Sequence, residues 1–220
     1  MKILSNFKNG LVLILALTFL AGCASIPTAR LENISQVREE NAIGKIYVGP
    51  FLDLRKGSNV DTTILGTIRG GYGNPWTRIR DSRGADEFVR EQVINAARAS
   101  AIIADRKPDD LVARKKGDGW VIENIKNSKR PILVGVINGL IVETLMNRGV
   151  VVNISIELID PTTNNSMWRS TLIRNERAGM SGGIFDSTED LKSWLAKTIQ
   201  DSALEIFTSA DFKKIIETKN

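Results

Sequence analysis

The residue types in this sequence restrict the chemistry that the protein can perform. The chain of 220 residues contains no histidine and a single cysteine, Cys23. Without histidine, Ser-His-Asp and Cys-His catalysis and the histidine-based zinc sites are excluded, and one cysteine cannot form an internal disulfide. Hydrophobic residues make up 42% of the chain and charged residues 25%, which are ordinary values for a globular domain. These values exclude a polytopic membrane protein, a collagen-like chain and a fully disordered chain.

An apolar segment precedes the cysteine. Lys2 and Lys8 give the N-terminus a positive charge, and the apolar run of 11 residues from Leu11 to Ala21 follows. A helix needs about 20 residues to span a bilayer. Residues 1–22 are therefore typical of a signal peptide rather than of a transmembrane anchor.

The cysteine itself stands in a short motif, Leu20-Ala21-Gly22-Cys23. Small residues let a peptidase accommodate the extended backbone before a cleavage point, and the thiol is available for acylation. The motif resembles the lipobox of bacterial lipoproteins, which implies a covalent N-acyl and S-diacylglycerol lipid on Cys23 and no other cofactor or metal. Several acyl chains hold a protein firmly on a membrane. Because Ala24 follows rather than aspartate, the enterobacterial sorting pattern implies the periplasmic face of the outer membrane. An ordinary signal peptide followed by a buried free cysteine is the alternative.

The elements after the motif begin with a polar segment. Residues 23–43 predict a lipidated N-terminus and a linker, and the domain is expected over 44–208. Gly44 to Leu54 is rich in β-branched and aromatic residues, which predicts a first strand. Residues 55–76 contain many glycines and predict a loop. The next helix is expected over 81–100, with Asp81 or Ser82 as its cap.

The second half of the chain contains the clearest strand pattern. Ile132 to Thr144 is a long apolar run, and Val150 to Asp160 alternates strictly between apolar and polar residues. With Met167 to Arg177 as the hairpin partner, these segments predict a three-stranded antiparallel meander. The core face of the middle strand is expected to consist of Val150, Val152, Ile154, Ile156 and Leu158.

Four further segments complete the predicted organisation of the chain. Residues 187–207 repeat apolar positions at helical spacing, and Asp186 with Glu189 is similar to a capping box, so a closing helix is expected. Residues 209–220 are expected to form a C-terminal tail with at most a short turn. Residues 101–104 predict a short strand, and residues 105–130 break the pattern and predict a surface insertion.

The insertion supplies a candidate contact surface. Arg114, Lys115 and Lys116 would form its basic tip, and Trp120 starts a small extra strand. A solvated hairpin with no partner explains the same residues. Tyr72, Trp76 and Trp120 could alternatively stack on a sugar, or serve as anchors and core residues.

Together these elements predict an α+β fold, a single mainly antiparallel sheet of about four to five strands with two helices packed on one face. The lipobox, the strand that ends in Asp53-Leu54-Arg55, the run from Val134 to Thr144 and the hairpin with Trp168 resemble the YajG-like outer-membrane lipoproteins. The resemblance implies no catalytic residues. It implies related folds among auxiliary lipoproteins of envelope transport and of polysaccharide or curli secretion.

Three classes of function fit these observations. The first is a non-enzymatic envelope lipoprotein that binds an envelope protein or assembles into a homo-oligomer. The second is a periplasmic module that binds a lipid, a glycan or another small ligand. The third is a hydrolase, for which the pair Asp53 and Arg55 and the adjacent acids Asp109-Asp110 and Glu189-Asp190 are the candidates. Adjacent acids do not converge on one target, which favours the first class.

The formal charge of +5 is mild. It does not indicate a nucleic-acid partner, although a basic face could meet anionic lipid headgroups or wall polymers.

Overall fold

The structure is a computed structural model that describes residues 36–55, 61–69, 75–108, 112–117, 119–123, 130–143, 149–177 and 187–218. A short 3-10 turn (Glu39–Asn41) precedes the first strand. The elements that follow are β1 (Gly44–Asp53), β2 (Ile64–Arg69), β3 (Pro75–Arg80), α1 (Ala85–Ala99), β4 (Ile102–Arg106), β5 (Val112–Lys116), β6 (Gly119–Glu123), β7 (Ile132–Glu143), β8 (Gly149–Ile159), β9 (Ser166–Arg177), α2 (Thr188–Thr208) and α3 (Ala210–Glu217).

Five of these strands form the central sheet, in the order β4-β1-β7-β8-β9. β7, β8 and β9 are antiparallel neighbours, as the predicted meander requires. β1 runs parallel to both of its neighbours, β4 and β7. Parallel neighbours need a crossover connection, and α1 provides it between β1 and β4. The predicted α+β class, with about five strands and helices on one face, is confirmed, and the sheet is mixed.

The alternation along β8 places one row of side chains in the core beneath the helices. The five residues expected on this face are all fully buried: Val150, Val152, Ile154, Ile156 and Leu158. Leu133, Ile137 and Leu140 of β7 belong to the same cluster, as do apolar residues of all three helices. We call this side of the sheet the helix face.

A close approach between β1 and β7 explains one glycine of the apolar run. A Cβ atom on Gly135 would lie 2.2 Å from Cε1 of Phe51, which is 2% exposed. Any side chain at this position would therefore collide with the aromatic ring, and glycine leaves the room that the ring fills.

Helix α1 begins later than the sequence predicts. Its N-cap is Gly84, which has a φ of 97° and no side chain to accept a hydrogen bond, so the expected capping by Asp81 or Ser82 is wrong. The carboxylate of Asp81 is occupied instead by Arg83 and Lys192. The predicted inward face is correct, because Ala85, Phe88, Val89, Gln92, Val93 and Ala96 are all buried.

The prediction of a continuous loop over residues 55–76 is also wrong. β2 and β3 form an antiparallel hairpin, and Leu65 and Ile79 are buried in the core of the helix face. A Cβ atom on Gly66 would lie 2.9 Å from Cγ2 of Val142. The glycine that suggested a loop is thus a packing residue within a strand.

The chain closes with two helices rather than one helix and a tail. The N-terminus of α2 carries a capping box made by Ser187 and Asp190, one position after the predicted pair Asp186 and Glu189. Residues 209–220 were expected to be a tail, but α3 follows directly, and Phe212 and Ile216 are buried in the same core. The packed domain therefore extends past residue 208.

Candidate functional site

The predicted lipidation motif lies outside the described residues. Leu20, Ala21, Gly22 and Cys23 all precede residue 36, where the described part begins, so the structure does not bear on them. Tyr72 lies outside it as well, and the side chain of Trp76 is not described.

The basic tip of the predicted insertion lies on an antiparallel hairpin, β5–β6. Arg114 and Lys116 are exposed, whereas Lys115 between them is half-buried. This alternation follows from the pleat of the strand, which sends neighbouring side chains to opposite sides. The three cations therefore do not form one surface: two point to solvent, and Lys115 lies opposite Trp120 in the register of the hairpin.

Trp120 is not an exposed contact residue. Only 5% of it is accessible, because it packs on the side of the sheet opposite the helices. We call this side the open face. Trp120 and Ile122 form a second, smaller core with apolar residues of β7 and β8, namely Ile132, Val134, Val136 and Ile159. Burial removes Trp120 as a free stacking ring for a sugar and explains why the hairpin folds onto the sheet.

A side-chain contact helps to hold the hairpin in this position. The backbone N–H of Ile122 donates to Oδ1 of Asn164 at 2.9 Å. Asn164 lies in the turn between β8 and β9 and has a φ of 58°, a left-handed conformation that asparagine tolerates better than most residues. The turn between β8 and β9 thus also serves as a support for β6.

Where the hairpin stops covering the open face, a cleft of about 380 Å³ remains. Its floor includes Val136 and Asn138 of β7 and Ser155 and Glu157 of β8. Leu54, Lys115, Trp120 and Arg169 contribute to its sides. The volume lies within the range of small-ligand pockets, about 300–1,000 Å³.

Two polar pairs are set side by side in this cleft. Asn138 Nδ2 donates to Ser155 Oγ at 3.0 Å. Arg169 Nη2 donates to Glu157 Oε1 at 2.9 Å, and the Glu157 side chain is 9% exposed while that of Arg169 is 58% exposed. Glu157 and Arg169 are opposite each other in the register of β8 and β9. This cross-strand ion pair compensates for the cost of burying the charged carboxylate of Glu157 in the floor of the cleft.

Beyond the hairpin, no described helix or strand packs on the open face. Ile141 of β7 is 47% exposed and Ile173 of β9 is 68% exposed, and both lie on this side of the sheet. In the register of the sheet, Val151 is opposite Ile141 and the polar Asn153 is opposite Ile173. Exposed apolar residues that lie on one surface are typical of interaction sites.

Two of the acids considered for hydrolysis, Asp53 and Asp190, have structural partners. Asp53 and Arg55 form an ion pair at 2.6 Å, and Arg55 Nη1 also donates to the carbonyl oxygen of Ile64 at 2.7 Å. This pair therefore fixes the end of β1 to the start of β2. Asp190 caps α2, and Asp109 and Asp110 lie outside the described residues. Among the described residues, no cluster of acids or thiols has the arrangement of a metal site.

A cluster of charged side chains surrounds Asp81 on the helix face. Its carboxylate accepts hydrogen bonds from Arg83 Nε at 3.0 Å and Nη2 at 2.9 Å, and Lys192 Nζ of α2 is 3.1 Å away. The hydrogen bonds from Arg83 hold the pKa of Asp81 well below its ordinary value against the opposing effect of burial. The cluster ties the β3–α1 junction to α2, so its geometry is that of a structural connection.

One pattern in the sequence indicates the face on which the cleft lies. The polar residues that alternate along β8 include Ser155 and Glu157, and they identify a face that the main core leaves uncovered. No local pattern indicated that the hairpin would cover part of that face, because this contact joins segments far apart in the chain.

Fold and site together define a class: an α+β domain with one helix-covered face and one face that a hairpin covers only in part. The chain matches no protein-family model and no curated protein sequence. Its fold is similar to that of a DUF330 protein from Xanthomonas campestris, with a TM-score of 0.52 and 8% identity over 83% of this chain and 94% of that one. An uncharacterized protein gives a TM-score of 0.45 with 7% identity, over 78% of this chain and 93% of that one.

A third likeness is to the PelC dodecamer from Paraburkholderia phytofirmans, with a TM-score of 0.38 and 18% identity over 73% of this chain and 88% of that one. At 8% identity the first likeness concerns the fold alone, and the other two are too distant to support an argument. None of the described helices is both long and apolar enough to cross a membrane.

Proposed function

We propose that this protein is a lipid-anchored lipoprotein of the cell envelope that acts by binding, without catalysis. The observation that carries the proposal is the sequence Leu20-Ala21-Gly22-Cys23 directly after an apolar run of signal-peptide length. Acylation of Cys23 would tether the domain through the linker of residues 24–43. With Ala24 after the cysteine, the expected location is the periplasmic face of the outer membrane.

The binding role is supported by how the described residues are used. Of the acids considered for catalysis, Asp53 is engaged in an ion pair and Asp190 in a helix cap. The open face, in contrast, keeps exposed Ile141 and Ile173 beside a cleft that contains charged groups. An envelope protein or a second copy of this chain is the proposed partner for this face, in a transport, secretion or assembly process.

A second candidate is a module that binds a lipid, a glycan or another small ligand. The observation in its favour is the cleft of about 380 Å³ on the open face. The burial of Trp120 weakens a role in which that ring stacks on a sugar.

The anchor is tested by growing the native host with a clickable palmitate analogue and fractionating its membranes. The wild-type chain should carry the label and sediment with the outer membrane. Cys23→Ala should lose the label and leave that fraction, while Ser25→Ala, which changes a neighbouring residue outside the motif, should behave like the wild type. Recovery of a labelled Cys23→Ala protein from the outer membrane would contradict the proposal.

A further inference from the structure

The cleft on the open face combines three kinds of groups: a cation, hydrogen-bond acceptors and apolar surface. Two cations line the cleft: Arg169 is paired with Glu157, whereas Lys115, which is half-buried, is the cation of interest here. Among the described residues, no carboxylate lies within ion-pair distance of its ammonium group, although most other partly buried cations of the domain have an acid partner. A bound anion would stabilise a partly desolvated cation that has no acid partner, because hydrogen bonds between charged groups are stronger than those between neutral groups.

The acceptors are Asn138 and Glu157. The amide of Asn138 uses its Nδ2 to donate to Ser155, and its Oδ1 accepts no hydrogen bond from the described part of the chain. Glu157 accepts from Arg169 at Oε1, and within the same ranges Oε2 has no donor. A ligand with N–H or O–H donors would satisfy both oxygens.

The apolar surface comes from both sides of the cleft. Leu54, just after β1, is 54% exposed although it is a large apolar residue. Val136 on the floor and Trp120 on the hairpin side are 8% and 5% exposed, so little more than their cleft-facing edges is accessible. An apolar group of the ligand that covered Leu54 would also contact Val136 and Trp120. The apolar surface buried in these contacts would favour binding.

We propose that this cleft binds the C-terminal end of a partner protein whose last residue is apolar. The terminal carboxylate lies against Lys115, main-chain N–H groups donate to Asn138 and Glu157, and the apolar side chain packs on Leu54 and the edge of Trp120. The inference deepens the proposed function. It rests on one part of that proposal, namely that the domain binds other proteins. It does not depend on the lipid anchor.

Other ligand classes match this cleft less completely. A fatty acid supplies the carboxylate and the apolar chain but no donors for Asn138 and Glu157. An acidic sugar supplies the carboxylate and the hydroxyl donors, but its polar ring would leave Leu54 without an apolar partner. A peptide end supplies all three kinds of groups within a volume of about 380 Å³.

The test measures fluorescence anisotropy with the full-length chain purified in detergent. The probe is the peptide GGAL labelled with fluorescein at its N-terminus, and the comparison probe is the same peptide with a C-terminal carboxamide. We expect saturable binding of the free acid and at least ~10-fold weaker binding of the carboxamide, since the carboxamide lacks the charge that Lys115 recognises. Equal affinity for the two peptides, or no saturable binding of the acid, would overturn the inference.

Matched variants locate the site. Lys115→Gln should weaken binding of the free acid about 10-fold and leave the carboxamide unaffected, whereas Lys116→Gln, an exposed neighbour on the other side of the same strand, should bind like the wild type. Asn138→Ala should weaken both peptides. Equal losses in the two lysine variants, or displacement of the peptide by methyl glucuronide at lower concentration than by unlabelled GGAL, would contradict the proposal. Palmitate labelling is independent of these outcomes, so failure here is distinguishable from failure of the anchor.

Discussion

The two faces of the central sheet are built from the same strands and yet have different roles. On the helix face, α1, α2 and α3 cover the strands and enclose one large apolar core that reaches the β2–β3 hairpin. Among the elements that the structure describes, one hairpin covers an end of the open face through a core of six buried residues, and the remainder keeps a cleft and two exposed isoleucines. Stability therefore resides mainly on the helix face, while the open face retains the groups that can bind a partner.

The first prediction removes a large side chain from the helix face. Phe207 of α2 is fully buried and packs on Phe212 of α3, with ring centroids 5.0 Å apart. Phe207→Ala should lower the free energy of unfolding by about 3–5 kcal/mol, the range for truncating a buried aromatic residue. Urea denaturation measures the change. Ile173→Ala, at the 68% exposed position of the open face, should stay within about 0.5 kcal/mol of the wild type. A similar loss in both variants would contradict the division of roles.

The second prediction concerns the charge cluster at Asp81. Asp81→Asn keeps the shape of the side chain and removes its charge, so the hydrogen bonds from Arg83 and the ion pair with Lys192 weaken. The expected loss is about 1.5–3 kcal/mol at neutral pH, the usual worth of hydrogen bonds to a charged group. Denaturation by urea at pH 7 gives the value.

The same variant should change how stability depends on pH. Because the pKa of Asp81 is lowered in the folded protein, its contribution is complete above the ordinary aspartate pKa of about 3.9 and is lost as the pH falls below it. Asp61, whose pKa is lowered to about 2 by hydrogen bonds from Thr63 and Arg80, acts in the same direction. Wild-type stability should thus decrease from about pH 5 to pH 2, and Asp81→Asn should decrease less. Parallel curves for the two proteins would refute the role of Asp81.

The third prediction addresses the hairpin. Trp120→Ala should release β5–β6 from the open face, because Trp120 is the largest residue of the small core. Global stability should fall by only about 1 kcal/mol, since the hairpin can open locally while the rest of the domain remains folded. Hydrogen exchange should then show faster exchange at Ile122 and unchanged exchange at Val93 in α1. Equal acceleration at both sites would mean that the two faces unfold as one unit.

Local sequence patterns predicted the parts of the fold that depend on local periodicity. The alternation from Val150 to Leu158 and the inward face of α1 were correct, because both follow from the repeat of a single strand or helix. The β2–β3 hairpin was missed because Gly66 is required by its contact with Val142, a residue far away in the sequence.

The residues of the cleft show the same difference between local patterns and contacts distant in the sequence. The sequence identifies Lys115 and Trp120 as residues of a possible contact surface, with Lys115 in its basic tip. Their inward orientation depends on the pleat of β5 and on the contact of the hairpin with β7, neither of which a charge pattern encodes. Asn138, Glu157 and Arg169 come together only through the register of three strands. The lipidation motif stays a prediction that rests on four consecutive residues, which lie outside the part of the chain that the structure describes.

The most direct test of a binding role for the open face is site-specific photocrosslinking in the native host. A photoreactive amino acid replaces Ile173 on the open face in one strain and Lys214, which is exposed on α3, in another. After irradiation, the membrane fraction is probed for adducts of higher mass. Discrete adducts from position 173 and none from position 214 are the predicted result. Adducts from position 214 alone would place the binding surface on the helices and contradict the account.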